Sequence, residues 1–202
     1  MGDPKFSRKK YKNPPHPWQL ERIQMENEYV RYYGLKNKKE FWKTRSVLKT
    51  IRSQARYLQA RLRYGDSQAK KEMDELIHKL TKNGYLLGEE LTLNDVLNMT
   101  VENILNRRLQ TVVYHKGLAS SPKQARQLIT HGHISVAGRK ITIPSYVLKR
   151  EEESEITYSS LSPLKDELHP VRPKDDVSPT FIPDQMKKDK EKESYRDNRR
   201  RR

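Results

Sequence analysis

Residues 120–145, S-S-P-K-Q-A-R-Q-L-I-T-H-G-H-I-S-V-A-G-R-K-I-T-I-P-S, encode one short helix, a glycine stop and a tight hairpin. Ser121 offers a hydroxyl cap, Pro122 suits the first helical position, where a missing N–H costs nothing, and Gln124 completes an S-x-x-Q capping box. Ala125, Leu128 and Ile129 form an apolar stripe at helical spacing, and Gly132 stands where a left-handed residue closes a helix of about ten residues. Ile134 and Val136 then alternate with Ser135, Ala137-Gly138 supplies a two-residue turn, and Ile141 and Ile143 alternate with Thr142 on the return. The reading is a hairpin laid against one helical face. Lys123, Arg126, Gln127, His131, His133, Arg139 and Lys140 fall on the helix face and loop that the core does not use, and almost all are hydrogen-bond donors. A donor surface calls for an acceptor-rich partner.

Working outward, no Asp or Glu occurs between Glu102 and Glu151, whereas Arg107, Arg108, Lys116, Lys123, Arg126, Arg139, Lys140, Lys149 and Arg150 all lie inside. Ordinary solvated surfaces mix signs, because like charges repel. A folded segment without carboxylates is expected to face a polyanion, and phosphate backbone is the usual one.

These residues carry a resemblance. Arg107-Arg108-Leu109, Ala125-Arg126-Gln127-Leu128-Ile129, His131-Gly132-His133-Ile134, Val136-Ala137-Gly138 and Pro144-Ser145-Tyr146 resemble the RNA-binding module named after the S-four ribosomal proteins. The flanks, up to about Leu168, resemble the small-subunit ribosomal protein S-four family in its archaeal and eukaryotic form. Two positions depart from the pattern: Gln110 stands where many module members carry an acid, and Ala137 replaces the common Asn before the hairpin glycine. The resemblance implies a structural binder of small-subunit ribosomal RNA, active early in assembly of the subunit body and contributing to translational accuracy. It also implies ribosomal protein S-five as a neighbour, messenger RNA near its entry path, and a cytoplasmic location within the small subunit.

Composition agrees with that class. The chain of 202 residues carries 42 Lys and Arg against 26 Asp and Glu, a net +16, and its 33% hydrophobic content argues against a large core. Stability is therefore expected to lean on a partner. No apolar run approaches the ~18 residues of a spanning helix, no signal-peptide core opens the chain, and Phe6 occupies the position a myristoylation motif reserves for Ser or Thr, so no membrane partner is expected. With no Cys there is neither a disulfide nor a thiolate zinc site.

Residues 1–17 hold Arg8, Lys9 and Lys10 among several prolines and read as an extended basic arm that follows RNA grooves. A helix runs from Trp18 towards Gly34, with Ile23, Tyr29, Val30 and Tyr33 facing inward. A longer one follows. Phe41, Leu48, Ile51, Ala55, Leu58 and Leu62 make one apolar stripe, and Arg45, Lys49, Arg52, Arg56 and Arg63 make a cationic stripe beside it that has no acidic i, i+4 partner after Glu40. Asp66 caps a third helix that ends at Asn83-Gly84 and turns the middle of the chain acidic, away from RNA. Thr92 with Asp95 and Thr100 with Asn103 mark two more starts, the second helix running through Leu109 and Val113 to Gly117. Val147-Leu148 and residues 155–158 complete a small sheet around a turn at Glu151-Glu152-Glu153. A short helix is expected from Pro163. From Pro170 onward proline and mixed charge predict disorder unless bound, ending in Arg199 to Arg202.

No catalytic site is read from the sequence. His131 and His133 lack a third metal ligand of suitable type, and there is no Gly-rich phosphate loop, no G-x-S-x-G and no thiol; neither metal nor cofactor is expected. Tyr11, Tyr57, Tyr64, Tyr114 and Tyr146 are candidate stacking platforms. The expected architecture is α+β: a basic arm at 1–17, a helical domain at 18–105, a small αα-β-hairpin RNA-binding module with a short antiparallel sheet at 106–168, and a tail at 169–202. Its RNA-binding residues are expected to be Arg8, Lys9, Lys10, Arg45, Lys49, Arg52 and Arg56, then Arg107, Arg108, Lys116, Ser121, Lys123, Gln124, Arg126, Gln127, His131, His133, Arg139, Lys140 and Tyr146. The competing readings are an RNA-modifying enzyme of the pseudouridine synthase type and a ribosome-associated quality-control factor, either using the same module.

Overall fold

Seven α-helices and three short strands follow one another in the computed structural model, which describes residues 8–88, 91–166 and 169–173. They are α1 Leu20–Tyr32, α2 Lys38–Arg63, α3 Ser67–Lys82, α4 Leu93–Asn98, α5 Val101–Asn106, α6 Leu109–His115, α7 Pro122–Thr130, β1 Ile134–Val136, β2 Arg139–Lys140 and β3 Ile156–Tyr158. The architecture is α+β, mostly helical. The expectations for residues 1–7 and for the tail beyond residue 173, its terminal arginines included, lie outside the described residues.

The long helix α2 is the axis of the first half. Asn37 accepts the Glu40 N–H at 3.2 Å to start it, and its buried Leu48, Ala55 and Leu58 pack against Ala69, Leu76 and Leu80 of α3 and Leu93 and Val96 of α4. Each fully buried Leu or Val side chain there contributes roughly 1.5–3 kcal/mol relative to exposure. Asp66 caps α3 by accepting the Gln68 N–H at 2.9 Å. A second core joins α6, α7 and the sheet through Leu109, Val113, Leu128, Ile129, Ile134, Leu148 and Ile156. Between the two, Tyr33, Leu35, Phe41 and Leu105 form a third cluster that fastens α1 and α2 to the start of the second half.

The hairpin forms as its residues dictate. The strands lie in the order β2-β1-β3, all antiparallel, with Val136 opposite Arg139 across Ala137 and Gly138. Those two turn residues have φ of 50° and 72°, the left-handed pair that a two-residue turn needs to match strand twist. Gly132, at φ 77°, ends α7 and lets the His133 N–H reach the Leu128 carbonyl at 2.9 Å.

Four sequence readings are corrected. The helix expected from Thr100 to Gly117 is two, because Arg107 and Arg108 leave the helical path to pair with residues 146–148: Leu109 N–H donates to Tyr146 at 2.8 Å and Leu148 N–H to Arg107 at 3.0 Å. The return strand stops at Lys140 instead of running through Ile143, which is 57% exposed, since the chain must turn there to bring the Pro144 carbonyl to the Gln110 N–H. Gln124 returns its capping bond to the Ser120 N–H at 2.6 Å, one residue earlier than the box predicts, while Ser121 accepts the Gln124 N–H as expected. Residues Pro163–Lys165 form only a single 3₁₀ turn.

Candidate nucleic-acid interface

The cations divide into two sets. Arg45, Lys49 and Arg56 stand exposed along one side of α2, and Lys116, Lys123, Arg139 and Lys140 stand exposed around the second half, none of them ion-paired with a described residue. Arg8, Lys9 and Lys10 are exposed in residues 8–17, a stretch without helix or strand that rests on α2 where the Tyr11 ring meets Trp42 at 5.9 Å and the Lys12 N–H donates to Ser46 Oγ. Gln127 and His131 are exposed as well. His133 is half-buried, its Nδ1 within 2.9 Å of Ser162 Oγ.

The other set is spent inside the protein, which corrects the reading of its members as free surface donors. Arg108 is buried and pairs with Glu40 at 2.9 Å; Arg126, expected to be exposed, pairs with the same carboxylate at 2.5 Å. Burial pushes the Glu40 carboxyl up, but these two guanidiniums outweigh it and hold it below its ordinary 4.5. Arg107 pairs with Glu153 at 2.6 Å and also donates to the Asn83 and Leu148 carbonyls. Arg52 turns its guanidinium inward to the Met99 carbonyl. Tyr146 donates to Glu152 at 3.0 Å, and Ser121 and Gln124 are used in capping α7. The segment without carboxylates thus borrows them from outside itself.

Sequence reasoning missed the residue on which this arrangement turns. Gln110 is 1% exposed; its Nε2 donates to the carbonyls of Tyr33, Gly34 and Pro122, and its Oε1 accepts from Arg126 at 3.2 Å. Three carbonyl oxygens demand a donor, which a carboxylate lacks. The departure from an acid at this position was the available signal. Gly34, at φ 58°, is needed beside it, because a Cβ there would lie 2.9 Å from Pro122 Cβ and from Gln110 Nε2. A groove of about 670 Å³ opens at this seam between α1 and α7, lined by Arg31, Lys36, Lys123 and Gln127.

No group of three metal-ligating side chains is assembled, and no helix is long and apolar enough to cross a membrane, among the described residues. Solvent-facing cations on a helical and hairpin frame are features of an RNA-binding protein, and residues 107–154 match the S4 domain. The chain is 56% identical over 172 residues, 85% of its length and 86% of the relative's, to "Small ribosomal subunit protein uS4" of Thermoplasma acidophilum. Proteins of the same name from Picrophilus torridus and Methanococcus aeolicus are 53% and 50% identical, each match covering 85% of this chain and 93% and 96% of theirs. The chain belongs to the uS4 family of small-subunit ribosomal proteins, and it is not an enzyme.

Proposed function

We propose that this chain binds small-subunit ribosomal RNA directly and helps nucleate assembly of the subunit body. Arg45, Lys49 and Arg56 on α2 clamp phosphates of one RNA segment, while Lys116, Lys123, Arg139 and Lys140 clamp another, and the packed frame fixes the distance between the two sets. Arg107, Arg108 and Arg126 serve indirectly, by holding that frame. The observation that supports this reading most is the line of exposed, unpaired cations on α2. The arm at 1–17 extends the clamp, 18–105 and 106–168 act as its two jaws, and the tail from 169 joins when RNA is present. The chain works in the cytoplasm within the small subunit, beside ribosomal protein S-five and near incoming messenger RNA, where the rigidity of its jaws contributes to accuracy.

The test is filter retention of small-subunit ribosomal RNA across a salt series. If six to ten phosphates are neutralised, affinity falls by roughly three to five orders of magnitude between 50 and 200 mM salt, by the duplex rule. A flat response removes the clamp. Recovery at one copy per subunit after a high-salt wash identifies a constitutive component, whereas substoichiometric recovery identifies a transient factor.

A further inference from the structure

Between the basic arm and α2 lies a groove of about 770 Å³, walled by Pro14 and Pro15 on the arm and by Trp42, Arg45, Lys49 and Tyr57 on the helix. Its size is that of a small-ligand site. Arg45, Lys49, Ser53 and Tyr57 follow one another at i, i+4 spacing, so two cations, a hydroxyl and a ring stand in a row. Both aromatic walls are held in place. Trp42 Nε1 donates to the buried Glu26 at 3.0 Å, and Tyr57, although 60% exposed, carries the Arg61 guanidinium over its ring at 5.4 Å. Asp66 and Glu72 in turn pin Arg61 at 2.5 and 3.0 Å.

No carboxylate lines this groove among the described residues, and its exposed Ser53 and Gln54 offer neutral hydrogen-bonding groups. A phosphate clamp alone needs cations and no aromatic floor. A paired base, for its part, keeps its face inside the helical stack; only an extruded one presents a π surface together with its own phosphates. We propose that this groove binds one unpaired RNA nucleotide at its Tyr57 end, the base against Tyr57 and the flanking phosphates against Lys49 and, one turn further along, Arg45. The proposal rests on the RNA-binding reading of α2.

The test uses the full chain and reads the fluorescence of 2-aminopurine placed in the RNA. The chain is titrated with an RNA hairpin bearing one bulged 2-aminopurine and with a fully paired hairpin bearing the same base. The bulged hairpin should bind roughly tenfold more tightly, with quenching of its 2-aminopurine; Tyr57→Leu should abolish that preference and Tyr57→Phe should keep it. Unchanged far-UV circular dichroism verifies that each variant is folded. Equal, steeply salt-dependent binding of both hairpins overturns the groove and leaves the phosphate clamp standing, while binding of neither removes both. A preference untouched by Tyr57→Leu places the base elsewhere and overturns the proposal. Displacement of the bulged hairpin by polyglutamate at no higher concentration than by the unlabelled hairpin assigns the groove to an acidic protein segment, and overturns it too.

Discussion

Glu40 alone answers both Arg108 and Arg126, with its own side chain 17% exposed and theirs 7% and 23%. Removing one member of such a cluster strands the charges it leaves behind, so Glu40→Gln should destabilise the fold by about 3 kcal/mol, read from urea unfolding. The pH dependence has a definite sign. Because the native carboxyl is held below its ordinary value, its contribution is complete above about pH 4.5 and is lost as pH falls through the native value. The stability difference between wild type and Glu40→Gln should therefore shrink as pH falls below about 4.5. Gln110→Glu belongs with it: a carboxylate among three carbonyl oxygens loses every bond the amide donates and should cost about 3 kcal/mol or more. A variant as stable as wild type would mean that the backbone there relaxes to accept it.

At the level of single elements, the hairpin carries a strained residue. Ala137 sits at φ 50°, a region that a Cβ disfavours by roughly 1–2 kcal/mol and that Asn and Gly occupy readily. Ala137→Gly should raise stability by about 0.5–1 kcal/mol, and Ala137→Asn by a similar amount, seen as a later urea midpoint with an unchanged slope. The long helix invites the complementary experiment. Lys49→Glu with Arg56→Glu reverses two exposed charges that face no acid of the described residues, so unfolding should be unaltered while RNA binding weakens and its salt slope falls by roughly two.

For the molecule as a whole, local order was legible and pairing over distance was not. Caps at Asp66, Thr92, Thr100 and Ser121, the glycine stops, the apolar stripe of α2 and the two-residue turn each depend on neighbours within a few positions, and each appears where the residues place it. The split between α5 and α6 depends on backbone bonds to residues 146–148, which no local pattern announces. The candidate site divided on the same line. Charge count along the sequence separates acids from bases, but Glu40 lies 68 and 86 positions from its two partners, so a segment that looked uniformly cationic is partly neutralised in space. The exposed residues Arg45, Lys49 and Arg56 were readable because their helix is long and regular.

That 86-residue separation has a consequence for biosynthesis. A nascent chain emerges from its amino terminus at about 5–20 residues per second, so the acid leaves the exit tunnel roughly 4–17 s before its last counter-ion. During that interval the first helices cannot complete their seam, and the polypeptide carries an unfinished edge that only its own continuation can close.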